Sequence, residues 1–416
     1  MSDPSGAFPE AGSPEAARVP VAVRWFGVAS LMTDAAGELI YPLLPLFLTS
    51  VLGGTAAFVG VIEGVAESTS AILKLVSGKI SDRVAHRKPL VLLGYGLTSV
   101  VRPLIALAGS QWVVLLIRFF DRAGKGIRGS PRDAMVADVT PRGARGGAYG
   151  FHQAMDNAGA VLGPLIGFVL VGTLHVGLRA AFAWTAIPGA LAVAALLAVR
   201  EAPRGESKTK KKEVRTDAPA TTGPLVRYLI VLGLFTLGNA SDAFLLLRAA
   251  QVLHPGVKLG AASLADPTLL LLWCVHNAVK ALLSYRGGRL SDRYGHRVAI
   301  GAGWAVYAVI YLAFGFADAA WEMWALFAAY GLYYSLVEGA EKALVAELIP
   351  ENRRGSGFGW YNAVIGALSL PASALFGALF SAYGAVVPFV VASGLAAVAS
   401  VLLWILVPVP PTRAPG

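Results

Sequence analysis

The chain has 416 residues, 56% of them hydrophobic and only 14% charged. A soluble globular protein carries about 25% charged residues, so a soluble enzyme or binding module is excluded and an all-α membrane protein is expected. The net charge of +10 does not point to nucleic acid, because Lys and Arg collect in short loops between apolar runs, as orientation in a membrane requires.

Residues 1–20 are polar and rich in Pro and Ala. Without the apolar core of a signal peptide they are expected to form a disordered cytoplasmic tail, leaving the first membrane helix as the insertion signal. Twelve apolar segments follow at 21–50, 56–78, 88–108, 111–132, 145–171, 178–199, 226–252, 264–286, 297–317, 320–346, 355–381 and 386–408. Each is long enough to span a hydrocarbon core of about 30 Å. Residues 200–224, which include Lys208, Lys210, Lys211 and Lys212, are polar and without periodicity, the composition of a solvated linker. One six-helix bundle is therefore expected over 21–199 and a second over 225–408, with a tail at 409–416. The even-to-odd connections hold Lys79, Arg83, Arg87 and Lys88, then Arg142 and Arg145, Arg289, Arg293 and Arg297, and Arg353 and Arg354. The opposite connections are nearly free of basic residues, Arg179 and Lys258 excepted, which places both termini in the cytoplasm. The single cysteine, Cys274, rules out an internal disulfide, and the six His and five Met residues show no ligand spacing; no metal site and no cofactor are expected.

The fourth segment carries the densest charge, from Arg118 through Asp121, Arg122, Lys125, Arg128 and Arg132 to Asp133. Asp121, Lys125, Arg128 and Arg132 are four, three and four residues apart and share one helix face. A charge near the bilayer centre costs about 2.5–3.5 kcal/mol on insertion scales, so this face is expected to line a polar pathway. The bland alternative, a helix whose lower half already lies in the cytoplasm, covers Arg132 and Asp133 but not Arg118, Asp121, Arg122 or Lys125.

The two halves repeat. Gly78 to Arg87 aligns with Gly288 to Arg297 at an offset of 210, with six of ten positions identical, and Thr33-Asp34 falls on Ser241-Asp242 at 208. Ala137-Asp138 and Pro141 fall on Ala346-Glu347 and Pro350 at 209. Two copies in one orientation describe parallel halves around an axis along the membrane normal, with a site between them near the midplane.

These residues resemble the major facilitator superfamily over almost the whole chain. The family's loop after helix 2, Gly-x-Leu-Ala-Asp-Arg-x-Gly-Arg-Lys, is matched by Gly78 to Lys88, with Ala85 for the second Gly, and again by Gly288 to Arg297, which keeps Gly295. Arg118, Gly124 and Gly126 match the helix-4 pattern, with Arg122 in place of its first Gly. Gly150, Gly159, Gly163, Pro164 and Gly167 match the helix-5 pattern of antiporters, with Phe168 for its last Gly. The run from Asp121 to Asp133 looks like a group of prokaryotic permeases. The resemblance implies a twelve-helix secondary transporter of the bacterial inner membrane, in two parallel six-helix repeats, acting as a monomer on a small-molecule solute and protons by alternating access.

Secondary transport needs a protonatable group and a polar pocket. Asp34, Glu38, Asp156, Asp242 and Glu338 are the proton-coupling candidates, because desolvation disfavours the charged form of a carboxylate. Arg118, Asp121, Arg122, Lys125, His152 and Lys280 are the substrate-binding candidates. Glu63, Glu67 and Lys74 share a face and either serve the site or pair with a neighbouring helix, and Glu341 and Lys342 are expected to lie near the cytoplasmic end. The resemblance implies a gate in which Asp82 meets the stretch from Gly355 to Gly359, Arg83 meets Asp133 or Asp138, and Asp292 meets the stretch from Arg145 to Gly147, with Gly78, Gly288 and Arg293 completing it. Export of a small organic solute in exchange for protons is the expected function, and the basic fourth helix points to an anionic group on that solute. Uptake of an organic anion or metal chelate is the alternative, and a non-transporting membrane sensor is the alternative of another class. Gly124-Lys125-Gly126 lacks the spacing of a phosphate-binding loop, so no enzymatic activity is expected.

Overall fold

The computed structural model describes residues 19–41, 43–44, 47–53, 56–199, 201, 222–255 and 267–408. The tails at 1–18 and 409–416, Pro42, Pro45, Lys258 and linker residues 200 and 202–221 lie outside the described residues.

Among the described residues there is no strand, and the helices group into twelve spans. In the first half these are α1 (Val21–Ile40), α2 (Ala56–Arg83), α3 (Lys88–Leu107), α4 (Gln111–Asp138), α5 (Arg145–Gly167) and α6 (Leu178–Leu197). In the second they are α7 (Gly223–Leu253), α8 (Pro267–Tyr294), α9 (His296–Phe316), α10 (Ala320–Leu348), α11 (Arg354–Tyr383) and α12 (Val386–Leu406). Among the described residues, seven spans are long and apolar enough to cross a membrane by length and composition. Helices α1, α4, α8 and α10 carry charges within the span, which need partners inside the protein.

Three expectations about helix ends change. The first segment does not continue to residue 50 as one α-helix: α1 ends at Ile40, and a separate π turn covers Phe47–Val51. The fourth does not stop at Arg132. It runs through Pro131 to Asp138, because Asp133 and the turn from Ala134 to Ala137 are buried against neighbouring helices. The seventh breaks between Gly238 and Ala243, where Gly and Asn are weak helix formers. The carbonyl of Gly238 there accepts the Tyr307 hydroxyl at 2.9 Å.

Packing repeats with the sequence. In the first half α1 packs on α5 and α6, α4 on α2 and α3, and α3 on α6; in the second, α7 packs on α11 and α12, α10 on α8 and α9, and α9 on α12. Between halves, α2 crosses α11 and α5 crosses α8, the same pair with the halves exchanged. The helix-5 glycines serve two of these contacts. A Cβ on Gly159 would meet Leu31 O at 2.6 Å, and one on Gly163 would meet Ala35 O at 2.6 Å, so only glycine lets α5 lie this close to α1. Gly150 instead faces Ser284 of α8. Gly167 is buried and followed by a π turn, Phe168–Thr173, in which Phe168 is exposed.

The halves fill their interiors differently. The second is aromatic: Phe235 stacks on Trp304 at 4.4 Å and Tyr307 on Tyr311 at 4.1 Å. The first is tied together by charge and by caps. The N–H groups of Arg87 and Lys88, at the start of α3, donate to the Glu201 carboxylate at 2.7 and 3.1 Å. Lys88 Nζ donates to the carbonyls of Leu197 and Val199, at the end of α6, at 3.2 and 2.5 Å. Glu201, counted in the linker by its polarity, thus belongs to the folded first half.

Candidate functional site: a charged cavity between the halves

A cavity of about 140 Å³ lies where the halves meet. Its wall is built from Asp34 of α1, Lys74 of α2, Lys125, Arg128, Gly129, Arg132 and Asp133 of α4, Asp156 of α5, Lys342 of α10 and Asn362 of α11. Among the described lining residues five side chains are basic and three acidic, a balance that favours an anion. The i, i+3, i+4 spacing of α4 puts Lys125, Arg128 and Arg132 in one column.

Three of these bases, Arg128, Arg132 and Lys342, are held in place by their partners. The Arg128 guanidinium lies 4.2 Å above the Tyr95 ring and donates to Thr98 Oγ1 at 3.1 Å. Arg132 donates to Asp133 Oδ1 through Nε and Nη2 at 3.2 and 3.1 Å, and to Ser30 Oγ at 3.3 Å. Lys342 reaches across from the second half to Gln153 Oε1 at 3.1 Å and Asp133 Oδ2 at 3.7 Å. His152 Nδ1 stands 3.5 Å from Asp156 Oδ2, with the His buried and the Asp open to the cavity.

Asp34, Lys125 and Asp156 are therefore brought together on one wall, and His152 stands behind it. Glu38 lies one turn beyond Asp34, its Cβ against Gly163. Arg118 and Asp121 are placed elsewhere. Asp121 is 1% exposed and accepts from Arg102 Nε at 2.8 Å and from Arg118 Nη1 at 3.3 Å; Arg102 also donates to the carbonyl of Thr33. This cluster ties α3 and α1 to α4 outside the cavity lining, and Arg122 is likewise not in the lining. Asp242, Lys280 and Glu338 form a separate group in the second half. Tyr330 donates its hydroxyl to Asp242 at 2.7 Å, and Lys280 sits 3.6 Å from Glu338 and 4.1 Å above the Tyr334 ring.

Some placements differ from the sequence reading. Arg132 and Asp133 are cavity residues, because α4 continues past them. Lys74 and Lys342 also face the cavity. Glu341 is buried between the Trp304 indole and the Tyr361 hydroxyl, at 3.2 and 2.7 Å. Arg102 is one of the intramembrane basic candidates of the sequence, but its pairing with Asp121 was not legible there; Asn362 and the tyrosines around Asp242 were not singled out. Tyr307 and Tyr311, and Tyr330, Tyr333 and Tyr334, stand three or four residues apart, a one-face spacing that could have marked them.

At the end of the bundle that carries the basic loops, two brackets close the halves. Asp82 accepts from the N–H groups of Gly355 and Ser356 at 2.7 and 2.6 Å, and Asp292 from those of Gly146 and Gly147, both at 2.7 Å. Each carboxylate caps the positive end of a helix in the opposite half. Only glycine fits beneath Asp82, since a Cβ on Gly355 would lie 2.8 Å from Asp82 Oδ1; Gly78 and Gly288 provide the facing surfaces of α2 and α8. Asp138 is the hub of the first bracket, paired with Arg87 and, at 2.5 Å, with Arg354; Arg87 also reaches Asp82 at 3.1 Å. Arg83, expected in that place, is exposed at the end of α2, while Arg87 enters α3 buried and facing inward. Asp133 faces the cavity and not this bracket. In the second bracket His296 takes the inward place, 3.9 Å from Asp292 and 3.3 Å from Glu347, and Arg293 lies outside against the Tyr294 ring at 5.4 Å. Burial pushes Asp292, beyond the expected membrane segment, up to about 6 in spite of its two N–H donors and His296.

The sequence pattern of the Major Facilitator Superfamily matches residues 26–272 and 261–416, two matches that together run along almost the whole chain. An MFS-type transporter of Methanocaldococcus jannaschii is 32% identical over 354 residues, covering 85% of this chain and 87% of that protein. The multidrug resistance protein MdtH of Yersinia enterocolitica is 30% identical over 129 residues, 31% of this chain and 32% of that protein. The crystal structure of the human organic anion transporter MFSD10 (TETRAN) has the same fold, with a TM-score of 0.70 at 18% identity, over 92% of this chain and 99% of that one. With twelve helical spans in two repeats, family matches along almost the whole chain and a relative aligned along most of its length, the chain belongs to the Major Facilitator Superfamily of membrane transporters.

Proposed function

We propose that this transporter exports a small organic anion in exchange for protons by alternating access, as a monomer in the bacterial inner membrane, with both termini and the bracketed end in the cytoplasm. The observation that carries the reading is the cavity wall, where, among the described lining residues, five basic side chains stand against three acidic ones between the halves. Asp34 is the proton-coupling carboxylate, and Lys125 and Arg128 on the same wall supply the opposing charge. Proton and base stabilise the empty site, and an anion borrows the base when it binds. The helix-5 glycines that seat α5 on Asp34 and Glu38, and the partial likeness to a multidrug resistance protein, support export.

Inverted membrane vesicles incubated in a metabolite library, with and without a proton gradient, test this. An organic anion should accumulate inside energised inverted vesicles, and a protonophore should abolish it. Accumulation only in right-side-out vesicles would show uptake instead. Orientation is tested by a protease site placed in residues 200–224, which should be cut only from the cytoplasmic side.

A further inference from the structure

We propose that Lys342 is the positioning residue through which an anion in the cavity loosens the contact between the halves. The inference rests on the anion-transport reading and assigns that coupling to one side chain. Four of the five basic lining residues stand on the first half; among the described lining residues, Lys342 is the only base the second half contributes. Its partners, Asp133 at 3.7 Å and Gln153 at 3.1 Å, both belong to the first half. The same ammonium thus faces the cavity and ties the halves.

A ligand shifts a conformational equilibrium only by binding its two states differently. An anion resting on Arg128 and Arg132 touches groups whose partners, Tyr95, Thr98, Asp133 and Ser30, stay in their own half. That contact does not distinguish joined from separated halves. An anion that takes the Lys342 ammonium does, because it competes with Asp133 for it. Lysine suits this role because its charge is compact and its four-carbon stem swings without moving the helix. The link is also well placed to be felt. Asp133 lies five residues before Asp138 on α4, and Lys342 five before Glu347 on α10, a separation of about 7.5 Å along each helix. Each helix therefore carries one end of the cavity link and one carboxylate of a bracket. With the cavity empty, Lys342 holds the bracketed end shut, and the carrier exchanges its solute without leaking.

The test needs no known substrate. In a Cys274→Ser background, Asn362→Cys places a thiol on the same wall. Methanethiosulfonate reagents then attach a sulfonatoethyl, a trimethylammonioethyl or a neutral methyl group there. Deuterium uptake by peptides holding Gly146 and Gly147, and Gly355 and Ser356, reads the brackets, since those N–H groups are bonded to Asp292 and Asp82 in the closed form. The anionic adduct should speed that exchange by about tenfold over the neutral one, the effect of weakening one charge-assisted bond, and the cationic adduct should not. Lys342→Gln and Asp133→Asn should exchange fast whatever the adduct, and Lys342→Arg should behave as the parent. Equal uptake with the anionic and cationic adducts would overturn the proposal. So would a charge effect that persists in both Lys342→Gln and Asp133→Asn. A vesicle screen that returns no anion would end the transport reading while leaving this result standing.

Discussion

Asp34 and Asp242 occupy the same point of the repeat, yet they meet different chemistry. Asp34 shares the lining of the charged cavity with Lys125 and Arg128, whereas Asp242 accepts a tyrosine hydroxyl in an aromatic cluster. The equivalence was legible from the offset between the halves. The difference was not, because Tyr330 stands 88 residues from Asp242 and nothing local announces the contact. If Asp34 couples transport to protons, Asp34→Asn should fold, still exchange solute across the membrane, and lose the dependence of transport on pH. A permanent structural pair would behave otherwise, since removing one member of a buried pair costs about 3–5 kcal/mol. Melting temperature and counterflow measured on the same preparation separate the two cases, and normal proton-driven transport would move the role to Glu38, Asp156 or Asp242.

At the scale of helices, the brackets are built alike but charged differently. In the first bracket Arg87 reaches Asp82, while in the second His296 stands beside an Asp292 raised to about 6 from an ordinary 3.8. A raised carboxylate binds its proton more tightly in the closed bracket than in a separated one. That stabilisation is complete below about 3.8 and is lost as the pH rises through about 6. Acidification from about pH 7 to 5 should therefore favour closure of this end by roughly tenfold through Asp292 alone. Distances across the bracketed end should follow that trend, and Asp292→Asn should remove the Asp292 contribution, leaving whatever His296 and Glu347 supply. The cap on α3 gives a second expectation. Glu201→Ala frees the N–H groups of Arg87 and Lys88 and should lower stability by about 0.5–2 kcal/mol, the usual effect of losing a helix cap, read as a lower melting temperature with transport retained. Composition hid this cap, because Glu201 lies in a stretch rich in polar and charged residues and without periodicity.

Across the whole molecule, hydropathy and the repeat gave the twelve spans and their pairing, because apolar length and duplicated glycine-rich loops are local signals. The ion pairs were out of reach of such signals. The charged face of α4 was visible as a face, but Arg102, which holds Asp121, lies on the preceding helix inside an otherwise apolar run. That pair also bears on how the protein enters the membrane at all. Helix α4 carries so many charges that it falls outside the spans apolar enough to cross unaided, whereas α3 qualifies. Only residues 108–110 separate them, so the two can enter as a hairpin whose short loop closes easily. Within that hairpin, Arg102 neutralises Asp121 at 2.8 Å before any later helix has been made. Each charge left alone would add about 2.5–3.5 kcal/mol to insertion. Arg102→Leu should therefore leave more α4 untranslocated in a glycosylation-mapping assay of the isolated hairpin, and Arg102→Leu with Asp121→Leu should restore it. By this account the pair acts first as a passport for α4 during synthesis, and only afterwards as part of the finished carrier.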